Sequence, residues 1–139
     1  GSVIVWLHYH PHWNRTEAHS TKLAVFCTTP AIRSYVFNLL SEVVATAVLI
    51  IGIMAIGVNR FADGLHPLVV GALITLIGIG LGGTTGFAIN PARDLGPRLA
   101  HALLPIAGKG SSDWSYSWIP IVGPLLGALI GAAVYELVF

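Results

Sequence analysis

Charged side chains are scarce in this chain. Asp, Glu, Lys and Arg make up 9% of its 139 residues, whereas hydrophobic residues make up 55%. Soluble domains carry charge on about 25% of their residues, because their surfaces must interact with water. A mean hydropathy of +0.78 points the same way. The scarcity of charge argues against an ordinary soluble domain and predicts an integral membrane protein.

Several other features are missing. The net charge is only +1, so nothing indicates nucleic acid or an anionic surface as a partner. Cys27 is the single cysteine, which excludes an internal disulfide. The sequence shows no nucleophile paired with a base, no phosphate-binding loop and no paired carboxylates. We therefore expect neither an enzyme nor a cofactor.

Three apolar runs have about the length that a membrane-crossing helix needs. They cover residues 36–58, 67–83 and 119–139. A short polar connection, Asn59–His66, joins the first two. A polar loop, Gly108–Ser117, precedes the third and carries aromatic residues typical of a membrane interface.

The N-terminal residues 1–9 are apolar but too few to cross a bilayer. They lack the basic start and the cleavage site of a signal peptide. We expect them to be the end of a span that begins outside this chain, in a larger protein. His8, His10, His12 and His19 follow one another closely, but no Cys or carboxylate joins them, so we expect an exposed loop and no metal site.

Glycines recur at a spacing of four residues in two of the apolar runs. One series is Gly123, Gly127 and Gly131, and the other is Gly78 and Gly82. Lipid provides no hydrophobic force between helices, so small residues promote association by letting backbones approach closely. Both series predict close helix–helix packing.

Residues 90–104 form an amphipathic segment with a clear helix start. Asn90 is a favoured N-cap, and Pro91 suits the first helical position. A helix of this length covers roughly 22 Å, which is too short to cross. The preceding residues 82–89 are rich in glycine and resist helix formation. Two interpretations remain open: a re-entrant loop and half-helix beside a water-filled passage, or an extracellular loop with a surface helix.

The segment GFAINPARD, residues 86–94, resembles the second Asn-Pro-Ala signature of the major intrinsic proteins, which are the aquaporins and glycerol facilitators. The matching residues are Asn90, Pro91, Ala92 and Arg93. Asp94, which follows the arginine, is similar to the residue that marks the glycerol-conducting branch. FCTTPAIRSYVFNLLSEVVATAVL, residues 26–49, resembles the same branch.

The resemblance implies an all-α integral membrane fold, the C-terminal repeat of the aquaporin-like fold. Its parts would be the end of span 3 (1–9), span 4 (36–58), span 5 (67–83), a re-entrant half-helix (90–104) and span 6 (119–139). A missing N-terminal repeat would supply a second half-helix that meets the first at mid-membrane. The family also implies a homotetramer in the lipid bilayer, with Asn59–His66 in the cytoplasm and the Arg93 end outside, although the charges do not determine this orientation.

The resemblance further implies a selectivity filter. Arg93, Phe87 and Gly78 match the arginine, the aromatic residue and the small residue that form it. Ile74 lies one helical turn before Gly78 and should line the same face. Backbone carbonyls of Phe87, Ala88 and Ile89 should accept hydrogen bonds from a passing molecule. Such a surface suits a linear polyol, which has hydroxyl groups along one edge and carbon along the other.

Glu42 lies within the first apolar run, where a carboxylate is costly and usually functional or paired. No second carboxylate lies nearby in sequence, which argues against a proton relay. The family places a glutamate here to accept hydrogen bonds from the re-entrant loop. We expect Glu42 to have this structural role.

The predicted function is passive diffusion of glycerol and other small uncharged polyols, with water, across the plasma membrane, while protons and ions are excluded. Gly78 and Asp94 favour this over a water-selective pore. Two further alternatives stay open: half of a coupled transporter, since those also contain broken helices, and a non-conducting fragment that lacks the first repeat.

Overall fold

The computed structural model describes all residues 1–139 and contains only helices and loops, which confirms the predicted all-helical membrane fold. The helices are α1 (Ser2–His8), α2 (His10–Trp13), α3 (His19–Ala24), α4 (Tyr35–Gly57), α5 (Leu65–Leu81), α6 (Pro91–Leu103) and α7 (Ile119–Val138). A 3₁₀ turn, Gly82–Thr84, extends α5.

Three helices are long and apolar enough to cross a bilayer: α4, α7, and α5 together with its 3₁₀ turn. Their ends lie close to the limits of the three apolar runs. The largest difference at a helix start is in α5, which begins at Leu65, whereas the run was drawn from Pro67. Proline is tolerated there because N–H groups in a first helical turn have no intrahelical acceptor to lose. Gly64 precedes the helix with φ of +80°, a conformation that glycine adopts without strain.

Helices α4 and α7 pack backbone to backbone through the first glycine series. A Cβ atom at Gly131 would lie 2.7 Å from the carbonyl oxygen of Ala47, and one at Gly127 would overlap the carbonyl oxygen of Val43. Neither position has room for a side chain. The close packing predicted from Gly123, Gly127 and Gly131 is confirmed.

The second glycine series behaves differently from the prediction. Gly78 and Gly82 face the side chain of Phe87 and not another helix. A Cβ atom at Gly78 would lie 3.4 Å from the Phe87 ring, and one at Gly82 would lie 3.2 Å from the Phe87 Cβ. After the 3₁₀ turn the chain reverses direction, and the Phe87 side chain packs on α5. Small residues are needed at Gly78 and Gly82 because this side chain occupies the space beside them.

The connection between α1 and α4 contains α2 and α3 and a small core of its own, whereas the sequence predicted an exposed loop around its histidines. Trp13, Leu23, Phe26 and Cys27 are buried there together with Ile106, which follows α6. The connection is therefore packed against the C-terminal end of α6. His8, His10, His12 and His19 are exposed as expected, but they lie in α1, α2 and α3 and not in a loop.

Candidate functional site

Asn90 starts α6 as the sequence predicts. Its backbone is extended, with φ of −157°, and its side-chain Oδ1 accepts a hydrogen bond from the backbone N–H of Ala92 at 2.9 Å. Pro91 occupies the first helical position. The cap uses the amide oxygen, so the Nδ2 group of this exposed residue remains a free donor.

The loop before Asn90 has an unusual backbone. Gly86, Phe87 and Ile89 all have positive φ, at 82°, 64° and 43°. This region is rare for residues with a side chain, and a β-branched residue such as isoleucine is a clear outlier. Such strain persists only where surrounding contacts enforce it, and it is concentrated at functional sites.

Glu42 of α4 provides one of those contacts. Its carboxylate accepts a hydrogen bond from the N–H of Ala88 at 3.1 Å and another from the N–H of Ile89 at 2.7 Å. The side chain is 1% exposed, so these bonds form away from solvent. The contact that the sequence predicts between Glu42 and the loop is therefore present in the structure.

The carbonyl oxygens of Phe87, Ala88 and Ile89 accept no hydrogen bond within the chain. Backbone acceptors at membrane depth must be satisfied by protein or by a water-filled cavity. Because Glu42 orders the N–H side of this loop, the carbonyls of the partly buried Phe87 and Ile89 are left as acceptors for another molecule. Ala88 is 0% exposed, so the surface of this chain does not offer its carbonyl as an acceptor.

The predicted filter residues are exposed or half-buried, and two of them, Phe87 and Gly78, are in contact. The Phe87 ring is half-buried against Gly78, so the absence of a side chain at this glycine accommodates the ring. Ile74 is 37% exposed on α5. Arg93 is exposed, and its guanidinium makes no hydrogen bond or ion pair within the chain. Its donors are thus available.

Asp94 and Arg98 form a buried ion pair on another face of α6. Both are 0% exposed, and Arg98 Nε donates to Asp94 Oδ2 at 2.6 Å. Thr28 joins them, since its N–H and its hydroxyl both donate to Asp94 Oδ1. From the sequence, Asp94 was interpreted only as a marker of the glycerol-conducting branch, and Arg98 and Thr28 were assigned no role. The spacing of four residues between Asp94 and Arg98 could have indicated the ion pair.

Two lysines stabilise the end of α6, and the sequence analysis missed both. Lys109 Nζ donates to the carbonyls of His101 and Ala102, which a helix C-terminus leaves without intrahelical partners, and to the carbonyl of Leu104. Lys22, which is 4% exposed, donates to the carbonyl of Ala107. A cation at the last turn also interacts favourably with the helix dipole.

An exposed ion pair joins the long connection to the loop before α7. Arg33 Nη1 donates to Asp113 Oδ1 at 3.0 Å, and its guanidinium lies 5.2 Å from the centre of the Tyr116 ring. Burial alone would raise the pKa of Asp113, but the hydrogen bonds from Arg33 and Ser115 outweigh it and lower the pKa. The pair is therefore charged over the whole physiological range.

Together, three membrane-length helices and one half-length helix, which starts after an ordered but unsatisfied loop, define a multi-pass helical membrane protein. Broken helices with free backbone acceptors are typical of channels and transporters. Residues 2–135 match the family model of the major intrinsic proteins, and the chain belongs to this family.

Known relatives agree with this assignment. The chain is 58% identical over 139 residues to a probable glycerol uptake facilitator protein of Thermotoga maritima, covering 100% of the chain and 59% of the relative. It is 60% identical over 139 residues to the glycerol uptake facilitator protein of Bacillus subtilis, covering 100% of the chain and 51% of the relative. The X-ray structure of the aquaglyceroporin from Plasmodium falciparum superposes with a TM-score of 0.79 at 28% identity, covering 99% of this chain and 57% of that one. The chain therefore spans only about half the length of the relatives it matches.

Proposed function

We propose that this chain supplies the C-terminal repeat of a plasma-membrane channel through which glycerol and other small uncharged polyols diffuse passively with water. The unsatisfied carbonyls of Phe87 and Ile89, which are only partly buried, carry this proposal. A row of backbone acceptors can take over the hydrogen bonds that a polyol gives up when it leaves water, so the molecule moves from one acceptor to the next.

The other filter residues complement the same molecule. Arg93 supplies donors to hydroxyl oxygens, since its guanidinium is exposed and free. Phe87 and Ile74 provide apolar surface for the carbon backbone. A polyol has both kinds of edge, whereas a cation would meet the positive charge of Arg93.

Asn90 and the start of α6 account for the exclusion of protons and cations. A helix N-terminus carries about half a positive charge, and the free Nδ2 group of Asn90 donates to a passing oxygen. A water molecule whose oxygen accepts from Asn90 directs its own O–H groups away from this point, which interrupts a chain of waters that could carry a proton. A second half-helix from the N-terminal repeat would double the electrostatic barrier.

The whole protein would then be a homotetramer in which every subunit has its own pore. Asn59–His66 would face the cytoplasm, and the Arg93 end would face the outside. Diffusion down a gradient needs no catalytic residue, no cofactor and no metal.

Stopped-flow light scattering of vesicles that contain the full-length protein tests this function. After a shift into hyperosmotic glycerol, the vesicles should first shrink and then reswell much faster than protein-free vesicles. Fast shrinking without fast reswelling would identify a water-selective pore. Accumulation of glycerol against its gradient, or dependence on an ion gradient, would identify a coupled transporter.

A further inference from the structure

One short segment of the long connection touches both sides of the candidate filter. Thr28 bonds to Asp94, which follows Arg93 in the chain. The backbone N and O of Thr29 lie 3.3 and 3.2 Å from the position of a Cβ at Gly86, which precedes Phe87. Residues 28–29 therefore contact the immediate neighbours of both filter side chains.

A third contact extends the same segment. The N–H of Ala31 donates to the carbonyl of Thr84 at 3.1 Å, at the end of the 3₁₀ turn. Residues 28–31 thus lie across the loop before α6 and the first turn of α6 itself. The position of residues 28–31 therefore affects the distance between the loop before α6 and the first turn of α6.

The anchor of this segment is buried and fully satisfied. Every N–H group of Arg98 has an acceptor: Nε and Nη2 bond to Asp94, Nη2 also bonds to the carbonyl of Thr28, and Nη1 bonds to the carbonyls of Ser112 and Asp113. Buried networks that are fully satisfied rigidify the structure around them. The Asp94–Arg98 pair is therefore a rigid part of the structure, and Thr28 is hydrogen-bonded to it.

The Thr28 hydroxyl is the replaceable part of this anchor. It donates to Asp94 Oδ1 at 2.6 Å, a charge-assisted bond, while the N–H of the same residue donates to the same oxygen at 2.8 Å. Removing the hydroxyl would leave the backbone bond and the Asp94–Arg98 pair in place. The segment would loosen without leaving a buried charge unpaired.

We propose that Thr28 is a positioning residue for selectivity: through the buried Asp94–Arg98 pair it holds residues 28–31 against the filter and so sets the largest polyol that passes. The proposal rests on the proposed function. If the segment is less firmly held, the backbone beside Phe87 and the backbone beside Arg93 can move away from each other. The permeability to larger solutes then increases more than the permeability to small ones.

The test compares Thr28→Val with Thr46→Val in the full-length protein in vesicles. Valine has the shape of threonine without the hydroxyl. Thr46 is a matched control, because its hydroxyl is also buried but has no hydrogen-bond partner. The measurement is the ratio of xylitol to glycerol permeability, which does not depend on how many channels each vesicle holds.

In Thr28→Val this ratio should rise at least about threefold, the change in an equilibrium that the loss of one hydrogen bond produces. Thr46→Val and the conservative Thr28→Ser should keep the wild-type ratio. If Thr28→Val is not recovered in the membrane, Thr28→Ala is compared with Thr28→Ser instead, because these two variants differ only by the hydroxyl.

An unchanged ratio in the variant without the hydroxyl, or an equal rise in Thr46→Val or Thr28→Ser, would overturn the positioning role while leaving the channel itself intact. Wild-type vesicles that take up glycerol no faster than protein-free ones would instead overturn the proposed function, and the role of Thr28 with it.

Discussion

Arg93 and Arg98 show how differently two arginines of one helix can be used. Arg98 is buried with every donor paired, whereas Arg93 is exposed and unpaired. In the proposed channel, the charge of Arg93 is therefore free to act on a permeating molecule. We expect Arg93→Val in the full-length protein to raise urea and proton permeability by about tenfold, which corresponds to a barrier lowered by about 1.4 kcal/mol.

Arg60→Val is the control for this substitution. Arg60 is also exposed, but it lies in the short connection between α4 and α5, away from the filter. Urea uptake and the decay of a pH gradient are measured in the same vesicles. Wild-type selectivity in Arg93→Val would remove this residue from the filter.

Glu42 is expected to act on the loop and not on the permeating molecule. In Glu42→Gln one of the two acceptors becomes an NH₂ group that faces a backbone N–H, so a buried donor loses its partner. This costs about 1–3 kcal/mol, and we expect a lower melting temperature together with slower glycerol flux. Glu136→Gln, at an exposed position near the end of α7, should change neither. Normal melting and flux in Glu42→Gln would exclude the anchoring role.

Cys27 provides a pH-dependent prediction outside the membrane-spanning helices. Burial raises the pKa of its thiol from 9.0 to about 11. The protonated thiol is thus favoured in the folded state, and its contribution to stability is present below pH 9 and lost as the pH rises through about 11. The maleimide reaction of the folded protein should be slow at pH 8 and accelerate only toward pH 11.

A cysteine introduced at the exposed Ser20, in a Cys27→Ser background, is the control for this reaction. It should react at the rate of an ordinary thiol. Equal rates at the two positions near pH 8 would show that Cys27 is not buried in the folded protein.

At the scale of helices, the α4–α7 contact depends on glycine. A side chain at Gly127 would overlap the backbone of α4, which cannot move aside as a flexible side chain can. We expect Gly127→Ala to cost at least about 3 kcal/mol, the upper end of the usual range for overpacking. Size-exclusion chromatography after heating should show an earlier loss of the folded peak.

Gly71→Ala is the matched control in α5, since nothing lies within 4 Å of a Cβ there. It should leave stability unchanged or raise it by about 0.5–1 kcal/mol, because alanine is the better helix former. Equal melting of the two variants would mean that α4 and α7 do not pack as closely as the structure shows.

The helices were predictable from sequence to different degrees. The apolar runs and the Asn90–Pro91 start are local signals, and the structure has helices at all of them. Gly78 and Gly82 were assigned to a helix partner because sequence spacing does not show that Phe87 folds back onto them. The bonds from Thr28 to Asp94 join residues far apart in the chain, so no local pattern could reveal them.

At the scale of the whole molecule, the candidate site has a wall on one side only. Asn90, Arg93 and Ile74 are all exposed, although a pore must enclose the molecule that it carries. The relatives are nearly twice as long as this chain, and the additional length is where an opposite wall would come from. Residues 1–139 alone should therefore form no closed passage.

This expectation is tested by comparing two vesicle preparations with equal amounts of inserted protein. Vesicles with the full-length protein should reswell rapidly in glycerol, whereas vesicles with residues 1–139 alone should match protein-free vesicles. The carbonyls of Phe87 and Ile89 would then face lipid or detergent, so their hydrogen bonds to a polyol could not replace those to water. Rapid reswelling with residues 1–139 alone would show that this repeat encloses a passage without a second wall.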